Sequence, residues 1–503
     1  MRRVEVQSVL KKRSSLYHCV VLGSVFAVCL ALQSCGNNFY FAGRNLPPSG
    51  LTNRVLIAEQ SPSALSTGAL PFVDAFYDIR HPFNSNFGSF SISGYSGKLP
   101  ITIQNMPEQQ TGAVYGSGDG DFALINYATE KVAGTVTIPG GLSSSVFITR
   151  DQRYVYAANN VNHILSVVDR VGGTSLELNL PNVSRISVNP GGTIVLAFLE
   201  NSNDVYTVVH LTAPQQLAAV NNPHYVYTNP ATNQTVTAED CEPQNLPLYC
   251  VFPVSAGSTQ FDRPQKAVFS PDGAYAYVVD CGPECGGTTA GLTVIPITGS
   301  AINTGSVGAS GITLTASSFT ATPGGATNAL FNGNSLYVAG QQFQGNTPCT
   351  TTPGSSSAGL LQEGCLTVLS TPANTITGTY QISDGTHNKM VFGDGNTLWV
   401  GAAQCQAGVR YQQAQTGASV QYGCLTMFNT STNAVTVDAY QGDATGIAPI
   451  EGLGKVYSAE GGQIYIYNTA AMTALNNANV SVSATAVDVA YMDATSDDSN
   501  TTY

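Results

Sequence analysis

The sequence predicts an all-β fold built from repeated four-stranded units, and three observations lead there. The first is a pattern that returns. Val146-Phe-Ile-Thr-Arg-Asp-Gln-Arg-Tyr-Val-Tyr-Ala-Ala-Asn159, then Ile164-Leu-Ser-Val-Val-Asp169, comes back as Ala267-Val-Phe-Ser-Pro-Asp-Gly-Ala-Tyr-Ala-Tyr-Val-Val-Asp280, then Leu292-Thr-Val-Ile295. The second is composition. Only 10% of the 503 residues are charged, while Gly, Ser, Thr, Asn and Tyr are plentiful, and no long amphipathic helical period follows the N-terminal segment. That mix suits short strands and turns rather than helices. The third is that the two ends carry incomplete units that complement each other. Self-similar units of this kind stack and close radially, which predicts a β-propeller of seven or eight four-stranded blades, the count favouring eight.

Each unit reads as four short strands, A to D, rich in Val, Ile, Tyr, Phe and Thr, with turn residues between them. Arg54-Val-Leu-Ile-Ala58 and Phe72-Val-Asp-Ala-Phe76 read as second and third strands that lack a first. The second unit has Leu99–Gln104, Gly112–Gly116, Phe122–Tyr127 and Val132–Ile138, and the third runs from Val146 to about Leu180. The fourth has Ser184-Arg-Ile-Ser-Val-Asn-Pro-Gly191, Ile194-Val-Leu-Ala197 and Val205-Tyr-Thr-Val-Val209, followed by an expected insertion over 212–262. The fifth starts near Gln265, the sixth near Ala326 and the seventh near Asn388. The sixth and seventh are siblings: Leu336-Tyr-Val-Ala-Gly340 matches Leu398-Trp-Val-Gly-Ala402, and Gly364-Cys-Leu-Thr-Val matches Gly423-Cys-Leu-Thr-Met. An eighth unit spans Gly446 to about Ser483, and Ala486-Val-Asp-Val-Ala-Tyr491 is left as a spare strand. Pairing that strand with the first unit closes the ring and removes exposed edges.

The net charge is −12, and no Lys/Arg cluster occurs beyond residue 13. An acidic surface repels phosphate backbones, so nucleic acid is not an expected partner.

Of 11 cysteines, Cys19 and Cys29 lie in the leader described below and Cys35 at its end, leaving eight. An even number in an exported chain suggests disulfides, and eight cysteines allow 105 pairings. Position narrows the choice. Cys349 and Cys365 flank one Gly/Ser/Thr-rich loop, Cys405 and Cys424 flank the equivalent loop one unit later, and Cys281 and Cys285 sit at that place one unit earlier. The expected bridges are therefore Cys241–Cys250, Cys281–Cys285, Cys349–Cys365 and Cys405–Cys424. The Cys281-x3-Cys285 spacing could also suit zinc, but no second close Cys or His pair accompanies it, and no metal is expected.

Tyr154-Val-Tyr-Ala-Ala-Asn159 and the Ser270-Pro-Asp-Gly273 turn resemble the YVTN-type β-propeller repeats, a group that includes lactonase-like propellers. The resemblance covers roughly residues 53–492. It implies the fold; its motif residues are turn-formers and strand packing, so it names no chemistry.

The first 34 residues read as a leader. Arg2, Arg3, Lys11, Lys12 and Arg13 form a basic start, and Val20 to Leu32 is an apolar run of 13 residues. Leu32-Gln33-Ser34-Cys35-Gly36 resembles the bacterial lipobox, which implies export, lipidation of Cys35 and anchoring to a membrane by its acyl chains. Gly36, in the position after the cysteine, fits an outer-membrane destination in diderm bacteria. The expected organisation is leader 1–34, tether 35–52, propeller 53–492 and an acidic flexible tail 493–503.

In a propeller the B–C and D–A connections emerge on one face. Expanded B–C loops are expected at about 59–70, 281–290, 341–363 and 403–422, the last three carrying cysteine pairs. Binding function concentrates on such loops when a rigid scaffold holds them. Gln342, Phe343, Arg410, Tyr411 and Tyr422 are the candidate binding side chains, for a protein, peptide or glycan ligand.

Catalytic constellations are thin. Beyond the leader the histidines are His81, His163, His210, His224 and His387. His387, Asp384, Glu451 and Asp262 lie near expected blade starts and could converge at the channel mouth, as a hydrolase would need; singly, such residues cap turns. Gly116-Ser-Gly-Asp-Gly-Asp121 reads as a tight turn, since it lacks the downstream bidentate Glu of a calcium loop. There is no nucleophile elbow or phosphate-binding Gly loop. Trp399 is the single tryptophan, unlike the tryptophan-rich pattern of pyrroloquinoline quinone propellers, and no cofactor is expected. The expected function is an anchored binding or scaffold module, with a lactonase-like hydrolase or a part of an envelope assembly complex as alternatives.

Overall fold

The computed structural model describes residues 46–80, 90–211, 213–228, 233, 235–242, 248–297, 314–345, 349 and 359–496. Cys35, the leader and His81 lie outside them. The chain divides into a unit of residues Met1–Leu51 and a compact unit of Thr52–Tyr503. In the first, the described residues 46–51 form a turn in which the Gly50 N–H donates to the Pro47 carbonyl at 2.8 Å.

The second unit is an eight-bladed β-propeller. Blade 2 comprises Pro100–Met106, Thr111–Gly116, Asp121–Asn126 and Lys131–Thr137, each antiparallel to the next. Blades 3, 5, 6, 7 and 8 repeat this order, with A strands Ser145–Ile148, Pro264–Phe269, Asn328–Asn332, Thr386–Gly393 and Ala444–Ile450. Blade 1 is made from both ends of the chain: Thr485–Tyr491 is its A strand, paired with Arg54–Gln60, which pairs with Phe72–Asp74. Residues 90–93 take the fourth position, where the Ile92 N–H donates to the Leu70 carbonyl at 2.9 Å. Among the described residues no helix is long and apolar enough to cross a membrane.

Blade 4 corrects one expectation. Its A, B and C strands are Val183–Val188, Val195–Leu199 and Val205–His210, but the segment read as an insertion contains the blade's own fourth strand, Tyr249–Pro253. A fifth, Asp240–Cys241, lies outside it. What is truly inserted is a short helix, Ala213–Ala219, and a hairpin of Val226–Thr228 with Thr235–Thr237.

Local chemistry explains the repeating pattern. The Asn or Asp that ends strand C accepts backbone N–H groups of the following turn: Asn126 from Thr129, Asp169 from Val171 and Gly172, Asn429 from Ser431 and Thr432, Asn468 from Ala471. Ser270 and Thr149 do the same for the A–B turns, accepting from Tyr275 and Tyr154 at 3.0 Å. These side chains stand in for backbone partners where the ladder stops.

The middle strands B and C, as in blade 2, are buried on both faces, while outer strands such as Lys131–Thr137 alternate exposed and covered. Apolar clusters fill the junctions between successive blades from 2/3 through 8/1. The strand-B aromatics of the pattern, Tyr115, Tyr156, Tyr277, Tyr337, Trp399 and Tyr457, are buried in these junctions. The hydrophobic driving force therefore acts between blades more than within them.

Closure is reinforced by polar contacts. Arg54 donates from Nη1 to the Tyr127 carbonyl at 2.7 Å and to Glu130 Oε1 at 2.9 Å, and from Nη2 to Asp493 Oδ1 at 2.6 Å. It thus ties strand B of blade 1 to blade 2 and to the chain's end. Asn105 of blade 2 donates to the Tyr491 carbonyl at 2.7 Å.

Candidate ligand-binding face

The A strands of neighbouring blades pack on one another around the axis. In six of them the pairing with strand B skips one residue, at Val487, Ile101, Ser184, Gln265, Asn388 and Thr445 in blades 1, 2, 4, 5, 7 and 8. A one-residue bulge bends the strand and re-aims the side chains beside it. The residues that follow these bulges are Asp488, Thr102, Arg185, Lys266, Lys389 and Gly446. Blades 3 and 6 supply Ser145 and Asn328, opposite the residues two past Tyr156 and Tyr337. One level of the inner strands thus carries three cations, one carboxylate, two hydroxyl side chains, one amide and one glycine.

This level borders a chamber of about 460 Å³ at the axis, on the side where the A strands begin. Arg185, Lys266, Lys389 and Glu284 line it with Ser145, Thr327, Asn328, Thr386 and Asn388. Lys389 Nζ meets Asp488 Oδ1 at 2.9 Å, with both side chains buried. Asp488 also accepts the Ile103 N–H at 2.9 Å. Blade 8, which stands between blades 7 and 1, allows this because Gly446 has no side chain: a Cβ there would lie 2.8 Å from Asp488 Oδ1. Lys266 Nζ donates to Asn328 Oδ1 at 2.7 Å. Desolvation, then the charges of Arg185 and Lys389, push its amine down to about 8. Arg185 is exposed to the chamber, and among the described residues its guanidinium donates no hydrogen bond; desolvation by the surrounding blades lowers its pKa, and the nearby Glu284 raises it.

Glu284 arrives from above. It lies in the turn Gly282–Cys285, closed by the Cys281–Cys285 disulfide, and accepts the Gln341 N–H of blade 6 at 2.8 Å. Burial pushes its carboxyl up to about 7, opposed by the Gln341 hydrogen bonds and Arg185.

The B–C and D–A connections surround the chamber mouth. The structure pairs Cys241–Cys250, Cys281–Cys285, Cys349–Cys365 and Cys405–Cys424. The last three brace B–C connections, while the first joins the two outer strands of blade 4. Cys349, Cys365 and Glu363 cluster, but the two sulfurs are bonded to each other and Glu363 accepts the Cys349 N–H at 2.8 Å.

In the connection of blade 7 a helix, Val409–Gln415, carries Arg410 and Tyr411, and Asp384 accepts the backbone N–H of both. Arg410 Nε donates to the Gln421 carbonyl at 3.0 Å. Tyr411 meets Tyr422 edge to face at 5.3 Å, and Tyr422 stacks on Tyr440 at 5.7 Å. All three rings remain partly exposed. Tyr440, from the D–A connection to blade 8, was not anticipated from sequence; only its place in a D–A loop could have flagged it. Gln342 and Phe343 are not loop residues: strand B of blade 6 runs to Phe343, which pairs with Gln362, and Gln342 donates to Glu363 Oε1 at 2.9 Å.

The suspected acid and histidine cluster does not form. Asp262 accepts Thr288 and Thr289 N–H groups and braces the blade 5 turn. Asp384 caps the blade 7 helix. Glu451 lies past the end of its A strand, toward the opposite face, and accepts the Thr495 N–H at 3.0 Å. His387 borders the chamber but is buried; its Nε2–H donates to the Ser383 carbonyl at 2.9 Å, and burial pushes its pKa down to about 4, so it stays neutral. His163 sits in a turn and accepts the Asn182 N–H at 3.0 Å, and His210 stacks on Tyr249 at 4.7 Å. Gly116–Asp121 forms a tight turn between strands B and C.

Burial raises several carboxyls: Asp280, Glu284 and Glu460 to about 7, and Asp384 to about 6. Such groups keep their protons in the folded chain at pH values where the unfolded chain has lost them. Their stabilisation is full below the ordinary carboxylate range and lost as pH rises to about 7. His387 and His210, both lowered by burial, act oppositely below 6.5. Four carboxyls outweigh two imidazoles, so the melting temperature should fall between about pH 5 and about pH 8. A melting temperature that rises over that range contradicts this balance.

No known family model matches the chain, and no curated protein matches it. Solved structures do. Hydrazine synthase of Kuenenia stuttgartiensis is 12% identical, over 78% of this chain and 99% of its own, with a TM-score of 0.45. A dihydro-heme d1 dehydrogenase is 10% identical over 90% and 79%, with a TM-score of 0.48. A putative 6-phosphogluconolactonase from Bacteroides fragilis is 12% identical over 77% and 96%, with a TM-score of 0.40.

Proposed function

We propose that this chain is an exported, lipid-anchored binding propeller that presents the loop crown of its chamber face to a protein, peptide or glycan ligand. The observation that carries this reading is the run Tyr411–Tyr422–Tyr440, three partly exposed rings held across two connections by a helix and the Cys405–Cys424 bridge. Tyrosines immobilised in this way offer a large amphipathic contact area at little entropic cost. A scaffold role in an envelope assembly would use the same surface. Anchoring rests on the Leu32-x-Ser-Cys35 resemblance, and it keeps the crown near the envelope.

The test presents the purified protein to arrayed peptides and glycans. Wild-type binding that disappears in Tyr411→Ala/Tyr422→Ala at an unchanged melting temperature is the expected result. No wild-type binding, or equal binding by the variant, removes the crown from the function. Mass spectrometry of the mature N-terminus checks the anchor: acylated Cys35 is expected, and cleavage elsewhere refutes it.

A second reading, a hydrolase working in the chamber, draws on Glu284. A carboxyl at about 7 beside Arg185 has the proton affinity of a general acid–base group.

A further inference from the structure

We propose that the axial chamber is a second, separate ligand site that binds a small carboxylate or phosphate anion between Arg185, Lys266 and Lys389. Beyond residue 34 this acidic chain holds only 14 Lys and Arg, yet three line one chamber from blades 4, 5 and 7. Among the described residues only Lys389 of the three forms an ion pair, while Glu284 stands near Arg185 without pairing with it. With Asp488 counted against it, the level carries two surplus positive charges when Glu284 is protonated and one when it is ionised. Like charges held close together repel, and the equivalent positions in blades 2, 3 and 6 show that Thr, Ser or Asn fit this level. An anion bearing one or two charges supplies what the protein leaves out. The guanidinium offers a forked donor set suited to carboxylate or phosphate oxygens. Thr327, Thr386 and Asn388 add neutral polar groups, and the volume falls within the range of small-molecule sites.

The arrangement also makes a stability argument. Lys266 is half-buried beside two like charges, so a purely structural role would be a poor use of it; losing the amine should leave the fold as stable or more so. The anion also stabilises whatever it binds, by mass action.

The test is calorimetric titration of the purified protein with inorganic phosphate and, separately, succinate, at low ionic strength near pH 6.5, where the amine of Lys266 is charged. Saturable binding of at least one anion is expected, weakened about tenfold or more in both Arg185→Gln and Lys266→Met. Lys131→Gln, on an exposed outer strand, should leave it unchanged, and Lys266→Met should keep or raise the melting temperature. Binding of phosphate alone assigns a phosphate ligand, and of succinate alone a carboxylate. No saturable binding up to about 10 mM of either, or equal binding by wild type and both variants, overturns the proposal. So does a Lys266→Met protein that is markedly less stable, since that would make the amine structural. The crown is probed by different variants and ligands, so either site can fail while the other stands.

Discussion

Ending the chain at Ala484 should abolish cooperative folding. The lost segment contains the A strand of blade 1, whose six backbone pairs with Val55–Gln60 provide the strand pairing that closes the ring. Without it Arg54–Gln60 becomes an unpaired inner edge. The blade 8/1 junction loses Ala486, Val489 and Tyr491, all buried. Two buried ion pairs break as well: Arg54 loses Asp493 and Lys389 loses Asp488. Lys389 is then left buried without its counter-charge, at about 3–5 kcal/mol, while Arg54 keeps Glu130. That loss, added to the missing strand pairing and junction contacts, approaches the whole stability of a typical domain, about 5–15 kcal/mol. Trp399, the single tryptophan and fully buried at the blade 7/8 junction, gives a fluorescence signal for the measurement. A truncated chain that still melts in one sharp transition within a few degrees of wild type would show that closure is not what holds the propeller together.

Lys389→Met should be the most costly single change on the chamber wall, at about 3–5 kcal/mol. Asp488 is buried and keeps only the Ile103 and Val489 N–H groups once the ammonium is gone. Adding Asp488→Asn should recover much of the loss, because an amide buries more cheaply than an unpaired carboxylate. The double-mutant cycle between these two positions should therefore show a coupling well above the background of distant sites. Additive losses would mean the two groups do not act as a pair. The contrast with Lys266→Met is informative: two lysines at the same level should differ in sign or size of effect because one has a carboxylate partner and the other has two cations.

Much of the fold could be read from the chain. Tyr-Val-Ala segments followed by Val/Ile runs ending in Asn or Asp marked strands B and C, because those residues act locally: the aromatic packs, and the terminal Asn or Asp caps the next turn. The spare strand at Ala486–Tyr491 could be matched to Arg54–Ala58 because an unpaired edge must be satisfied somewhere. The fourth strand of blade 4 was hidden because Tyr249–Pro253 follows a long polar segment that interrupts the period. The extension of blade 6 to Phe343 was equally silent, since Gln341 and Gln342 read as loop residues until their partners Gly364 and Glu363 are seen opposite them.

The sequence by itself determined the repeat, the strands, the turns and the places where cysteines sit close in the chain, because each depends on contacts between near neighbours. It did not determine the chamber. Arg185, Lys266 and Lys389 are 81 and 123 residues apart in succession, and each looks like an ordinary polar residue at the start of a strand. Only tertiary structure decided that they meet: eight blades had to close and one-residue bulges had to bend six inner strands. A glycine in blade 8 then had to let a lysine reach across to an aspartate supplied by the last strand. Charge meeting charge at the axis is a property of the closed ring, and a ring has no local signature in a linear chain.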